Sequence, residues 1–158
     1  MHLEDYAPGD RAEIGSHLFT ADEILRFARK YDTQAFHLSE EAGLAGPFKG
    51  LAASGWHTCA VWMKLMIAFQ TRMAKERIAA GLPVGRVGPS PGFRDLRWTA
   101  PVMAGDTLTY FSEVLETRPS ASRPGWGVLT ARNTATNQRG VEVFAFTSAV
   151  FVGVRPAD

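Results

Sequence analysis

The spacing of apolar positions changes twice along the chain. Between Ala12 and Phe19, Ile14 and Leu18 stand among polar neighbours, which predicts a first strand. From Ile24 the spacing turns helical. Ile24, Leu25, Phe27, Ala28 and Tyr31 share one side, and Arg26, Arg29 and Lys30 face water. Thr20-Ala21-Asp22-Glu23 precedes this helix as a capping box, in which the Thr20 hydroxyl accepts from the Glu23 N–H and Glu23 reaches back. Asp32 then falls just past the helix end, on a loop. Ser39 to Ala45 predicts one or two further helical turns with Ser39 as cap, ended by Gly46-Pro47-Phe48-Lys49-Gly50. Ser54 caps a long central helix running to about Ala80, roughly 39 Å at the usual rise. Trp62, Met66, Phe69 and Met73 form one stripe on it. Apolar residues cover most of its first half, which predicts a helix surrounded rather than half exposed.

Gly81 to Gly92 holds four glycines and three prolines and predicts a loop. Beyond it the period becomes that of strands. Phe93–Trp98, Thr107–Thr117, Trp126–Thr136 and Val141–Val154 are the candidates, with Pro101–Asp106 and Asn137-Gln138-Arg139-Gly140 as turns and Arg118–Gly125 as a polar loop. Val141–Val154 is the most apolar and is expected at the centre of the sheet. One long helix followed by antiparallel strands is an α+β pattern. The chain beyond the glycine-rich loop is too short for a second core, so residues 1–158 are expected to form a single domain.

Hydrophobic residues make up 46% and charged residues 21%, an ordinary globular balance. The formal net charge of +1, without a basic run, points to no nucleic-acid partner. A single cysteine, Cys59, excludes an internal disulfide and permits a reducing compartment. The polar start Met1-His2-Leu3-Glu4-Asp5-Tyr6 is unlike a secretory signal. The apolar run Cys59–Phe69 is interrupted by Lys64 and too short to span a membrane. The expectation is a soluble cytoplasmic protein without a membrane partner. No spacing among His2, His17, His37, His57 and Cys59 matches a metal site, and no phosphate or nicotinamide fingerprint exists, so no metal or cofactor is expected.

Two groups carry chemistry. A carboxylate and an imidazole, Asp32 and His37, can take a proton from water and deliver one to carbon. The alternative is that Asp32 caps the following turn and His37 only packs. Gly55, behind Ser54, opens the long helix. Its backbone N–H can stabilise an oxyanion, and the missing side chain lets a substrate approach, with Ser54 adding a contact. The plainer reading is a helix cap, which is compatible. His57 reads as a packing or surface residue, and Cys59 as a small buried side chain. Trp56, Trp62, Met63 and Met66 suit either an acyl tunnel or core. Arg94, Arg97 and Arg123 suit either the phosphates of a ligand or solvated charges.

Four stretches carry a resemblance over most of the chain: Asp32-Thr33-Gln34-Ala35-Phe36-His37, Ala52-Ala53-Ser54-Gly55-Trp56-His57-Thr58, Arg97-Trp98-Thr99-Ala100-Pro101-Val102 and Gly105-Asp106-Thr107-Leu108. They resemble the MaoC-like dehydratases, which include the (R)-specific enoyl-CoA hydratases. Gln34 and Ala35 stand where that family usually has Asn and Pro. The resemblance implies a hot-dog fold, a sheet wrapped around a central helix, with the site between two subunits of a homodimer or higher homo-oligomer. It implies an acyl-CoA thioester substrate and reversible addition of water to a trans-2-enoyl thioester, giving the (R)-3-hydroxyacyl product. Asp32 would activate water and His37 would be its partner in proton transfer. Gly55, Ser54, Gln34 and Trp56 are the candidate oxyanion and substrate-binding residues. Two other readings stay open. Hot-dog thioesterases place a carboxylate on the central helix, whereas here none occurs from Gly55 to Lys75 and Glu76 is the first. The third reading is a non-catalytic acyl-CoA binder.

Overall fold

In the computed structural model, which describes residues 1–156, the Thr20 hydroxyl accepts from the Glu23 N–H and starts helix α1 (Ala21–Tyr31). The second half of the expected capping box does not form. The Glu23 carboxylate turns instead to His17 Nε2, 2.6 Å away. An imidazole N–H is a better partner for a carboxylate than a backbone N–H already near water. Ile24 and Ala28 are buried, while Tyr31 is exposed and leans on Phe27. Two short helices come next, α2 (Ala35–Leu38) and α3 (Glu40–Ala45), the latter capped by the Ser39 hydroxyl. The long helix α4 spans Gly55–Ala79, with Ser54 as its cap.

The strands are β1 (Arg11–Leu18), β2 (Gly92–Arg97), β3 (Thr107–Pro119), β4 (Trp126–Asn137) and β5 (Glu142–Gly153). All pair antiparallel in the order β1-β3-β4-β5-β2. This single sheet with one long helix against it is the hot-dog arrangement. The middle strand is β4, not the more apolar β5. Part of the apolar content of β5 lies outside the core: Phe151 sits under the Arg123 guanidinium, and Gly88 packs against it.

The helix packs through His57, Thr58, Val61 and Trp62, with Leu65, Met66 and Phe69 behind them. Trp62 meets Phe146 edge-on at 4.7 Å, over a core of Phe144, Tyr110, Leu108 and Ile14. The expectation of a surrounded helix fails within one chain. A second stripe, Trp56, Ala60, Met63 and Ile67, faces outward, and Trp56 and Ile67 are each 54% exposed. One sheet covers only one face of a helix, and on the other, among the described residues, only Trp98 meets the stripe, at Trp56.

The Gly81–Gly92 loop runs along the far end of the sheet. Gly88 N–H donates to Phe151 O, Gly153 N–H donates to Arg86 O, and Gly85 abuts the backbone of Met1. It therefore lies away from the first turn of α4. Among the described residues no helix is long and apolar enough to cross a membrane.

Candidate functional site

Asp32 is the C-cap residue of α1, and its N–H closes that helix on Ala28 O. Three residues later Ala35 begins α2, with Gln34 as its N-cap. His37 therefore rides on a one-turn helix, whereas Asp32 lies just past a helix end, as expected. The N–H at the first position of such a turn has no partner within the helix. Ala35 stands at that first position, where proline is equally suited. Across this turn His37 Nε2 comes to 3.6 Å from Asp32 Oδ2.

A carbonyl sets the tautomer. His37 Nδ1 is 2.7 Å from Ala52 O. A carbonyl only accepts, so Nδ1 carries the hydrogen. In the neutral ring Nε2 then offers a lone pair toward an ionised carboxylate. Two acceptors at 3.6 Å do not bond each other. A molecule with two O–H groups, water above all, satisfies both at once. The Ala52 carbonyl is itself placed by the segment Leu51–Ala53, which bridges to the turn before β3: Ala53 N–H donates to Val102 O and Ala104 N–H to Leu51 O.

Gln34, in place of the usual asparagine, makes its own contact. Its Nε2 donates to Asp32 Oδ1 at 2.9 Å. Burial by itself pushes the Asp32 pKa up. The Ser54 hydroxyl and the Gln34 amide, both donating to it, outweigh burial and hold it below the ordinary carboxylate value, and the His37 ring adds to this only in its protonated form. Asp32, Gln34, His37 and Ser54 are thus brought together at the tip of α4, as the sequence had them.

At that tip Ser54 is buried and its hydroxyl accepts from the Trp56 N–H at 3.2 Å. The His57 N–H returns to Ser54 O. Gly55 leads the helix, as expected, but the space where a side chain would stand is not empty. A Cβ there would overlap the Trp98 ring. The absence of a side chain thus serves the packing of Trp98, and open access for a substrate on that side is not what the structure shows. Trp56 is largely exposed and meets Trp98 edge-on at 5.4 Å.

The remaining candidates fall elsewhere. His57 is buried, stacked on Phe27 at 4.6 Å, and burial lowers its pKa. It packs, as expected. Cys59 is half-buried, and burial raises its thiol to about 11, which suits a packing residue. The arginines do not converge. Arg94 pairs with Asp95 at 2.8 Å, and Arg123 lies over Phe151 at the far end of the sheet. Two shallow hollows along β2 and β5, one including Phe93 and Arg94 and the other Arg97 and Arg132, hold none of Asp32, His37 or Gly55. Among the described residues no group of three His, Cys, Asp or Glu side chains is placed to hold a metal ion. Sequence reasoning missed the role of Trp98 and that of the Ala52 carbonyl. Trp98 is 43 residues from Gly55 in the chain, and no local pattern signals their contact.

Comparisons with known proteins agree with this architecture. A family model described as a MaoC like domain matches residues 9–138. An uncharacterized protein, YdeM, of Bacillus subtilis (strain 168) is 30% identical over 152 residues, covering 96% of this chain and 99% of that protein. The crystal structure of a MaoC-like dehydratase from Rhodospirillum rubrum is 39% identical, covers 99% of each chain and superposes with a TM-score of 0.81. The R-hydratase PhaJ1 from Pseudomonas aeruginosa shares the fold, with a TM-score of 0.63 at 22% identity over 99% of this chain and 92% of that one.

Proposed function

The chain belongs to the MaoC-like domain family, and from that premise we propose that it is an enoyl thioester hydratase/dehydratase, acting on acyl-CoA as one hot-dog domain. The observation that carries the reading is the Asp32–His37 pair. Two proton acceptors stand 3.6 Å apart, one a fixed tautomer, beside the open end of the long helix.

A water held between Asp32 and His37 gives up one proton as its oxygen bonds to C3 of a trans-2-enoyl thioester. The C2=C3 electron pair moves toward the thioester carbonyl, and its oxygen gains negative charge. The Gly55 N–H, at the positive end of α4, offsets that charge without moving. The proton taken from water is returned to C2, and the hydroxyl on C3 keeps the other. Atoms and charge balance, and the reverse steps expel water. Asp32 is the water-activating base in this scheme, and His37 its partner. Ser54 and Gln34 hold the Asp32 carboxylate ionised. Trp56, exposed at the tip, is assigned to substrate contact.

The outward stripe of Trp56, Ala60, Met63 and Ile67 supports a homodimer in which a second copy covers α4 and closes the site. Glu76, the first carboxylate on α4, is well exposed near its far end, which disfavours a thioesterase. The test is a panel of trans-2-enoyl-CoA thioesters of rising chain length. Loss of enoyl absorbance without free thiol supports the hydratase. Thiol release in its place gives the thioesterase, and binding without either product gives the non-catalytic binder. Both outcomes overturn the proposal.

A further inference from the structure

The proposed oxyanion donor sits on the residue least able to hold a fixed direction. Glycine has no side chain to restrict its backbone, and at the first position of a helix it has few ladder bonds. Yet Gly55 is gripped from three sides. The Trp98 indole N–H donates to Gly55 O at 3.0 Å, and the Thr58 hydroxyl donates to the same oxygen at 2.6 Å. The Trp98 ring occupies the place of the missing Cβ, with Cδ2 and Nε1 each 2.6 Å from where that atom would be. Thr58 is held in turn by Tyr110, whose hydroxyl donates to Thr58 O at 3.2 Å.

Trp98 is not explained as core. It is 43% exposed and stands just after β2, on a segment pinned to β5 by Thr99, whose N–H donates to Val143 O and whose hydroxyl donates to Glu142 O. An exposed indole whose N–H goes to a carbonyl that already opens a helix ladder adds little to stability. It does fix an orientation.

We propose that Trp98 is a positioning residue: it seats Gly55 and aims the Gly55 N–H at the thioester oxygen. This rests on the hydratase reading. A glycine is required because a methyl would strike the indole, and the indole supplies the restraint that the glycine lacks.

The test is a double-mutant cycle on the full chain, read by kcat and KM on a short trans-2-enoyl-CoA and by thermal melting. Trp98→Phe keeps the ring and loses the N–H. It is expected to lower kcat about fivefold, the worth of one hydrogen bond, with KM within about twofold. Gly55→Ala displaces the helix tip and is expected to lower kcat about 100-fold. Gly55→Ala with Trp98→Ala removes the clash and is expected to exceed Gly55→Ala alone in both kcat and melting temperature. A double variant no better than Gly55→Ala alone would mean that the glycine serves the substrate directly, and would overturn the seat. Wild-type kcat in Trp98→Phe would overturn the aiming role. If wild-type protein consumes no enoyl thioester, the hydratase reading fails and the aiming role with it. The melting cycle then still decides whether Trp98 seats Gly55.

Discussion

Replacing Asp32 by Asn removes a proton acceptor and little else. The carboxylate accepts from the Gln34 amide at 2.9 Å and is 16% exposed. An asparagine oxygen still accepts from Gln34, and its new NH2 faces His37 Nε2, which can accept in its Nδ1–H form. The loop therefore keeps its bonds, and the melting temperature is expected to move by less than about 3 °C, equivalent to about 1 kcal/mol in a chain of this length. The rate is another matter. A positioned general base is worth about 100- to 10,000-fold, or about 3–5 kcal/mol of barrier. Loss of enoyl absorbance from a short trans-2-enoyl-CoA is expected to slow at least about 100-fold in kcat. The pH profile adds a second check. The Asp32 pKa is held below its ordinary value despite burial. A depressed carboxylate is ionised, and stabilises the fold, above its unfolded value, and both properties are lost as pH falls through the lowered folded value. The acid limb of kcat/KM owed to Asp32 therefore lies below the ordinary carboxylate range and disappears in the variant. An Asn variant that keeps more than a tenth of kcat with an unchanged profile refutes the assignment.

Asp106 is buried and accepts from the Met103 N–H, the Gln138 amide and Arg139, so Asp106→Ala leaves the Met103 N–H without its partner, while the exposed Gln138 and Arg139 side chains turn to water. The expected cost is about 1–3 kcal/mol, a fall of about 2–12 °C in melting temperature, and a shift under about 1 °C would contradict it. Ile67→Glu places a charge on the outward stripe of α4. It is expected to convert a dimer to a monomer by light scattering, and a dimer that survives the change argues that another surface mediates it. With its thiol raised to about 11, Cys59 should react with iodoacetamide at pH 8 roughly ninetyfold more slowly in the folded than in the urea-unfolded chain. Equal rates would show that the thiol is neither buried nor perturbed.

The strands were legible because turn residues bracket them. Glycine, proline and asparagine clusters stand at nearly every boundary, and the ends of β2 to β5 fall within two residues of the pattern. The Asp32–His37 pair was legible for a different reason, since five residues of chain leave little room for the two side chains to part. The features that stayed hidden depended on distant partners. Glu23 looked like half of a capping box because His17 is invisible as a competitor until β1 folds beside α1. Gly55 looked like a gap left for a ligand because Trp98 is far along the chain. The helix looked enclosed because apolar composition does not say whether one sheet or two copies do the covering.

One main-chain oxygen has a wider implication. The imidazole of His37 takes its direction from the carbonyl of residue 52, and every amino acid brings the same carbonyl to that place. No change of chemistry at residue 52 can unhook the ring. Only bulk can, because that alanine has almost no room around it. The orientation of the base is thus exposed to drift in volume but sheltered from drift in polarity, and small residues there should be interchangeable where large ones are not.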